Sequence, residues 1–396
     1  MIVLHTRKGR EKKLQNNYLW LFSEDLGDTL ADESSGIANL FSAEGVFLGK
    51  GLYQSQSHKP FRLLSTLDRP IDRAFFQERF AQAAQRRIPF FPQPVYRLVH
   101  GEADFLPGLI VDRYGDVFVL QLRHVALEPF KEAIVSALRA LFPETKGVLE
   151  RSDFASTPEH ALHRKRGVLW GEVPEEVVIC ENGVQQAVPL LQGQKTGFFL
   201  DQRWNWQRAV QLVQQLGLSG QRVLDLFCYT GGFSLHLAKG VQMRCQGVDK
   251  SADAVEWANR NASANGLSSL CAFAQADAFS WEPSRKDLRF VVIDPPALVK
   301  SPRELKTAKA LLANLCARVF RWMDDPGVLA LFSCAYFLGW PELEEIARRA
   351  AADTGKVLHV LDQTRQPPDH PWLLQMPETL YLRGLWLQVS ENRGRQ

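Results

Sequence analysis

From about residue 204 onward the chain alternates helical and strand-like segments, and this alternation constrains the fold more than any other feature of the sequence. The helical run "WNWQRAVQLVQQLG" precedes the strand-like "RVLDLFCY", and "GGFSLHLAKG", "RCQGVDK", "ADAVEWANRNASANG" and "CAFAQAD" follow. The pattern continues with "RFVVIDPP", "ELKTAKALLANLCARVFRWM", "GVLALFSC", "PELEEIARRAAADTG", "VLHVLDQTR" and "TLYLRGLWLQV". Repeated β-α units predict a parallel sheet wound by helices on both faces, with ligands above the carboxyl ends of the strands. Chemistry is expected along that one edge.

The first 185 residues are built differently. Residues 1–70 hold β-rich runs, "MIVLHT", "GIANLFS", "GVFLGKGLYQ" and "FRLLSTL", separated by glycines, which predicts a small β-barrel-like module. Residues 71–185 mix helical "DRAFFQERFAQAAQRRIPF" and "EPFKEAIVSALRALFPE" with the strands of "YRLVHGEADFLPGLIVDRYGDVFVLQLR". This α+β block closes on "VVICENGVQQAVPLL", whose Asn182-Gly183 pair is a strong hairpin signal. Three modules are therefore expected, over 1–70, 71–185 and 186–396, with no linker of biased composition between them.

With 45% hydrophobic and 23% charged residues, and with the segments a membrane helix would need interrupted by charge, the composition is that of a globular rather than a membrane protein. The opening "MIVLHTRKGREKK" has too short an apolar run for a secretory signal, so a cytoplasmic location is expected. Six cysteines form no C-x-x-C pair, which points away from a zinc site and from a disulfide framework, and no metal is expected. Net charge is only +3, so a polyanion would have to bind local patches. The densest is Arg7, Lys8, Arg10, Lys12 and Lys13, which reads either as a solvated face or as a phosphate-contacting patch.

Four strand ends carry polar groups suited to one ligand. In "DLFCYTGGFS" the glycines Gly231 and Gly232 permit a tight turn, and the helix behind them points its free amides at whatever lies there. Neither G-x-G-x-x-G nor a phosphate-cradling Lys-Ser/Thr pair is present. Asp249 ends the next strand, where a carboxylate accepts the hydroxyls of a ribose, and Asp277 ends the third, placed to meet an adenine amino group. Together they indicate an adenosyl cofactor. At the fourth end, "VVIDPPALVKS", two prolines after Asp294 hold the backbone extended beside that cofactor.

These residues resemble a family, the class I S-adenosylmethionine-dependent methyltransferases. Within it the chain is similar to the bacterial 23S rRNA cytosine-5 methyltransferases that carry an N-terminal PUA domain. The likeness runs through "KGREKKLQNNYLWLFS", "DFLPGLIVDRYGDVFVLQL", "QKTGFFLDQR", "FCYTGGFS", "DPPALVKS", "FSCA" and "QPPDHPWLLQMPETLYLRG". It implies an α/β fold: a Rossmann-like methyltransferase domain whose sheet ends in an antiparallel strand, here Thr379 to Val389, with an N-terminal β-barrel PUA domain and an intermediate α+β domain. The implied cofactor is S-adenosyl-L-methionine, held by Lys195, Thr196, Phe198, Asp201, Asp225, Phe227, Tyr229, Thr230, Gly231, Gly232, Asp249 and Asp277. The implied partner is 23S rRNA or a large-subunit assembly particle, which favours the phosphate-contacting reading of residues 7–13; a homodimer is also open.

Carbon 5 of cytosine is not nucleophilic, so its methylation needs a thiolate to add first at carbon 6. Cys334 follows the fifth strand, beside the strand end bearing Asp294, and the resemblance assigns it as that nucleophile with Asp294 as the acid near ring nitrogen 3. The target nucleotide must leave any stack to enter such a pocket. Cys228, Cys245, Cys271 and Cys316 lie in the cofactor turn or in apolar segments and are expected to be buried. Two alternatives remain: methylation of another atom, such as guanine N2, and a catalytically impaired RNA-binding assembly factor.

Overall fold

The computed structural model describes residues 2–27, 34–153, 165–193, 196–299 and 301–392. They fall into two compact units. The first comprises Met1–Val177, Val188–Leu200 and Pro368–Thr379; the second comprises Val178–Ala187, Asp201–Pro367 and Leu380–Gln396.

In the first unit the strands Ile2–His5, Trp20–Leu21, Ser35–Phe41, Phe47–Gln54 and Phe61–Ser65 form one five-stranded sheet. Ile2–His5 runs parallel to Ser35–Phe41 and the other pairings are antiparallel. Their inward residues, Leu4, Leu40, Phe61 and Leu63 among them, make a core that also takes in Met376. Gly51 lies against the neighbouring strand so closely that a Cβ there would sit 2.3 Å from the Arg62 carbonyl oxygen. Only glycine fits.

A second five-stranded sheet follows, from Val95–His100, Leu109–Tyr114, Val117–Leu122, Gly147–Ser152 and Lys165–Gly171, covered by helices Arg73–Arg87 and Lys131–Leu141. Asp72 caps the first helix by accepting from the Phe75 amide at 3.0 Å. Beneath the sheet lie two buried ion pairs, Arg87 with Asp104 at 2.6 Å and Arg97 with Asp112 at 2.7 Å. Their charges are compensated, and each pair accepts only one arrangement of its neighbours. The late segment Pro368–Thr379 is part of that arrangement. Asp369 accepts from the Arg97 amide at 3.1 Å and from the Arg87 guanidinium, through its carbonyl, at 3.0 Å. Further along, Met376 Sδ accepts from the Leu19 amide at 3.4 Å, and Tyr18 donates to Glu378 at 2.8 Å.

The second unit is a wound α/β sheet, as the alternation predicts. Its seven strands stand in the order Cys271–Gln275, Arg244–Asp249, Arg222–Leu226, Leu288–Ile293, Met323–Ser333, Arg383–Glu391 and Lys356–Arg365. The first five are parallel. On one face Leu329 and Leu331 pack with helices Leu305–Trp322 and Trp340–Thr354; on the other, Phe332 meets Phe233 at 5.3 Å and Trp386 at 5.4 Å. The antiparallel strand differs from expectation in two ways. It begins at Arg383 rather than Thr379, because the Tyr381 and Leu382 amides both donate to Gln366 Oε1 at 3.1 Å instead of entering the ladder. It also lies inside the sheet, and Lys356–Arg365 forms the edge. The hairpin Glu176–Glu181 and Val184–Pro189 turns at Asn182 and Gly183, whose φ angles of 49° and 78° are those of the tight turn their residue types favour.

Candidate functional site

The chain enters the large sheet at an interior strand, Arg222–Leu226, builds outward to Cys271–Gln275, then crosses back to Leu288–Ile293 on the other flank. The carboxyl ends of Arg222–Leu226 and Leu288–Ile293 therefore flank a topological switch point, where open α/β sheets bind ligands. The turn there carries strain. Phe227 and Tyr229 stand at φ 65° and 48°, left-handed values uncommon for aromatic side chains, and Gly231 at 87°. Asp249, from the next strand, holds the turn by accepting from the Tyr229 amide at 2.9 Å, while its other oxygen accepts from the Ser251 amide at 2.9 Å. Each of these oxygens has a second lone pair to offer a ribose hydroxyl.

Beneath the turn Asp225 is fully buried and takes two hydrogen bonds on Oδ2, from the Ser234 hydroxyl at 2.8 Å and the Ser234 amide at 3.2 Å. Burial outweighs both and pushes its carboxyl up to about 7. One helical turn on, His236 stacks on Trp206 with centroids 4.9 Å apart and is held down to about 4, again by burial. Trp206 also explains Gly232, whose Cβ would lie 2.7 Å from the indole. Asp277 is exposed at the third strand end, where its Oδ1 accepts from the Phe279 amide at 3.0 Å. A strained turn that only glycine can close, flanked by carboxylates with acceptor capacity, fits an adenosyl group.

On the other side of the switch point Asp294 leaves its strand with its amide donating to the Leu226 carbonyl at 3.4 Å, directly beside the turn. Ile293 pairs in parallel register with Leu331. Asp294 and Cys334 thus leave neighbouring strands, about 4.8 Å apart, one and three residues beyond that pair. Cys334 is half-buried, and Tyr336 beside it is 48% exposed. The helix that follows starts at Trp340. As expected, Cys228, Cys245, Cys271 and Cys316 are buried; burial raises the Cys228 and Cys245 thiols and pushes Cys316 up to about 12, which keeps all three protonated. Cys180 is exposed, on the hairpin.

The remaining residues implied by the resemblance are distributed. Asp201 accepts from the Tyr381 hydroxyl at 2.6 Å. Thr196 and Phe198 belong to the first unit, where Thr196 donates to Asp112 at 2.5 Å and Phe198 is buried. Lys195 lies outside the described residues. Sequence reasoning missed Gln202, which donates to Asp294 Oδ2 at 2.8 Å, and Asn205, which donates to Gln202 Oε1 at 2.6 Å. Their spacing of three residues at a helix start was the available signal.

In the first unit the basic run occupies a loop and the short helix Lys12–Gln15. Arg7 donates to the Leu26 carbonyl at 3.0 Å, Lys13 pairs with buried Asp25 at 2.6 Å, and Arg10 lies 3.8 Å from the same carboxylate. Lys8 and Lys12 are exposed. Among the described residues no helix is long and apolar enough to cross a membrane.

Fold and edge together define an S-adenosylmethionine-dependent methyltransferase with an α/β Rossmann-like catalytic domain. Comparison with known proteins agrees: residues 4–66 match the model of a PUA-like domain and residues 218–363 that of a methyltransferase domain. Ribosomal RNA large subunit methyltransferase I of Pseudoalteromonas atlantica is 35% identical over 98% of this chain and 99% of its own length. The protein of the same name from Aeromonas hydrophila is 34% identical over 96% and 97%. Among solved structures, a candidate SAM-dependent methyltransferase from Streptococcus mutans superposes with a TM-score of 0.82 at 24% identity, covering 98% of this chain and all of that one. A second, crystallised with SAH, gives 0.83 at 23% identity over the same shares. The chain belongs to the ribosomal RNA large subunit methyltransferase I family.

Proposed function

We propose that the protein methylates carbon 5 of a cytosine in large-subunit (23S) rRNA through a covalent adduct with Cys334. The observation that carries this reading is the placement of Cys334, a half-buried thiol, directly after the strand that neighbours the one leading to Asp294, beyond which lies the strained turn. The names of the relatives support large-subunit rRNA as the substrate class.

Cys334 Sγ adds to carbon 6 of the ring as Asp294 gives a proton to ring nitrogen 3, and the electron pair of the 5,6 double bond moves toward carbon 5. S-adenosylmethionine would be held by Asp201, Asp225, Phe227, Tyr229, Thr230, Gly231, Gly232, Asp249 and Asp277, and would supply the methyl group that carbon 5 takes up, leaving as S-adenosylhomocysteine. Loss of the carbon 5 proton to a water molecule then restores the double bond and expels the thiolate, while ring nitrogen 3 returns its proton to Asp294. The run Arg7, Lys8, Arg10, Lys12 and Lys13 contacts RNA phosphates and orients the substrate.

The test is methylation of 23S rRNA by the purified protein, with the product nucleoside identified by mass spectrometry. Cys334→Ala is expected to lose 5-methylcytidine formation by at least about 10³-fold, the scale on which an essential nucleophile counts, with cofactor affinity retained in calorimetry. Full 5-methylcytidine formation by this variant, or N2-methylguanosine as the wild-type product, overturns the covalent reading.

A further inference from the structure

We propose that Gln202 and Asn205 are positioning residues that hold the Asp294 carboxylate in its working rotamer and stabilise the charge it carries when its proton moves to the base; this rests on the reading of Asp294 as the catalytic acid. Gln202 stands at the amino end of helix Arg203–Gln215, and Asn205 is the third residue of that helix. Gln202 is 4% exposed and Asn205 1%, too buried for residues that merely solvate a surface. Polar side chains so buried need partners, and these two find them in sequence. Asn205 Nδ2 donates to Gln202 Oε1 at 2.6 Å, and Gln202 Nε2 donates to Asp294 Oδ2 at 2.8 Å.

The direction of the chain is what matters. A glutamine amide offers a donor at one end and an acceptor at the other, and which end faces a carboxylate is decided by its remaining contacts. Here the Asn205 amino group fills the acceptor end, so the donor end is turned to Asp294. A flipped amide would set its amino group against that of Asn205 and, once Asp294 is charged, oxygen against oxygen. A donor aimed at a carboxylate favours its charged form, which is the state Asp294 reaches once nitrogen 3 has taken its proton. Because Pro295 and Pro296 restrict the backbone after Asp294, the remaining freedom is in the side chain, and Gln202 removes it.

The experiment compares Gln202→Met and Gln202→Glu with wild type and Asp294→Ala, following kcat and KM for the cofactor from pH 5.5 to 8.5, with thermal melts as the folding control. Gln202→Met keeps the volume and loses the donor; kcat is expected to fall about 10- to 100-fold, the cost of loosened positioning, with KM for the cofactor unchanged. Gln202→Glu is expected to be poorest at pH 8.5 and to recover toward wild type as pH falls, because the protonated acid again donates to Asp294. That acid rescue would not arise from a packing role. Should Gln202→Met fail to fold, Asn205→Asp, which replaces the donor facing Gln202 Oε1 by an acceptor and so flips the amide, is expected to show the same loss of kcat. Wild-type kcat in Gln202→Met, or a Gln202→Glu to wild-type ratio constant across pH, overturns the proposal. If Asp294→Ala is inactive in that case, only the proposal falls; if Asp294→Ala is itself active, the catalytic reading of Asp294 falls instead.

Discussion

Asp225, on the strand Arg222–Leu226, and His236, on the helix after the turn, are displaced by burial in opposite directions, the carboxyl up to about 7 and the imidazole down to about 4. Between pH 4 and 7 the unfolded Asp225 ionises while the folded one stays protonated, so this group takes stability away as pH rises, ~4 kcal/mol at full span. Over nearly the same window unfolded His236 is charged and folded His236 neutral, so this group returns ~3 kcal/mol as pH rises from 4 to 6.5. The two nearly cancel. Removing either should expose the other: Asp225→Asn is expected to become steadily more stable from pH 4 to 6.5, and His236→Gln steadily less stable from pH 4 to 7. Urea unfolding at several pH values checks this, and parallel profiles for the two variants would contradict the assignment.

At the scale of elements, the turn and strand ends of the candidate edge were largely legible as local geometry. Gly231, Gly232, Asp249, Asp277 and the Asp294-Pro-Pro turn act through local backbone chemistry, which a sequence carries openly. Gln202 and Asn205 offered only their spacing of three at a helix start, because glutamine and asparagine on an amphipathic helix read as surface until burial is known. The two-residue strand Trp20–Leu21 is too short to show alternation, and the inward position of Arg383–Glu391 depends on pairing partners fifty or more residues away along the chain on one side. The basic run was visible, but its division of labour was not: Arg10 and Lys13 share buried Asp25, whereas Lys8 and Lys12 are exposed. Lys8→Glu and Lys12→Glu are therefore expected to weaken RNA binding uniformly across sequences and to lower the salt dependence by about one unit of slope per contact. Lys13→Ala is expected to cost stability as well, because it leaves the Asp25 carboxylate buried with one partner fewer. Filter binding across a salt series measures the first effect and thermal melting the second.

For the whole molecule the decisive feature is how the chain is shared out. The first unit is closed by Val188–Leu200 and Pro368–Thr379, and the latter supplies Met376, fully buried in the N-terminal core, and Asp369, fully buried against Arg87 and Arg97. No composition shift marks these returns, so reading three consecutive modules from the sequence could not reveal them. A fragment of residues 1–177 is expected to be markedly less stable than the same unit in the full chain, since it lacks both segments. Hydrogen exchange comparing fragment and whole protein measures this; equal protection of the strands Val95–His100 and Leu109–Tyr114 would refute it.

That sharing also sets a schedule for biosynthesis. Between residue 177 and residue 379, 202 further residues must be made before the N-terminal unit has all its parts. At ~5–20 residues per second this leaves it incomplete for ~10–40 s. Through that interval the pocket for Met376 is without its side chain and the Arg87 and Arg97 sites are without Asp369. The nascent chain therefore carries its PUA-like N-terminal unit in an unfinished form, and completes it only when the methyltransferase sheet that follows in sequence has nearly all been synthesised.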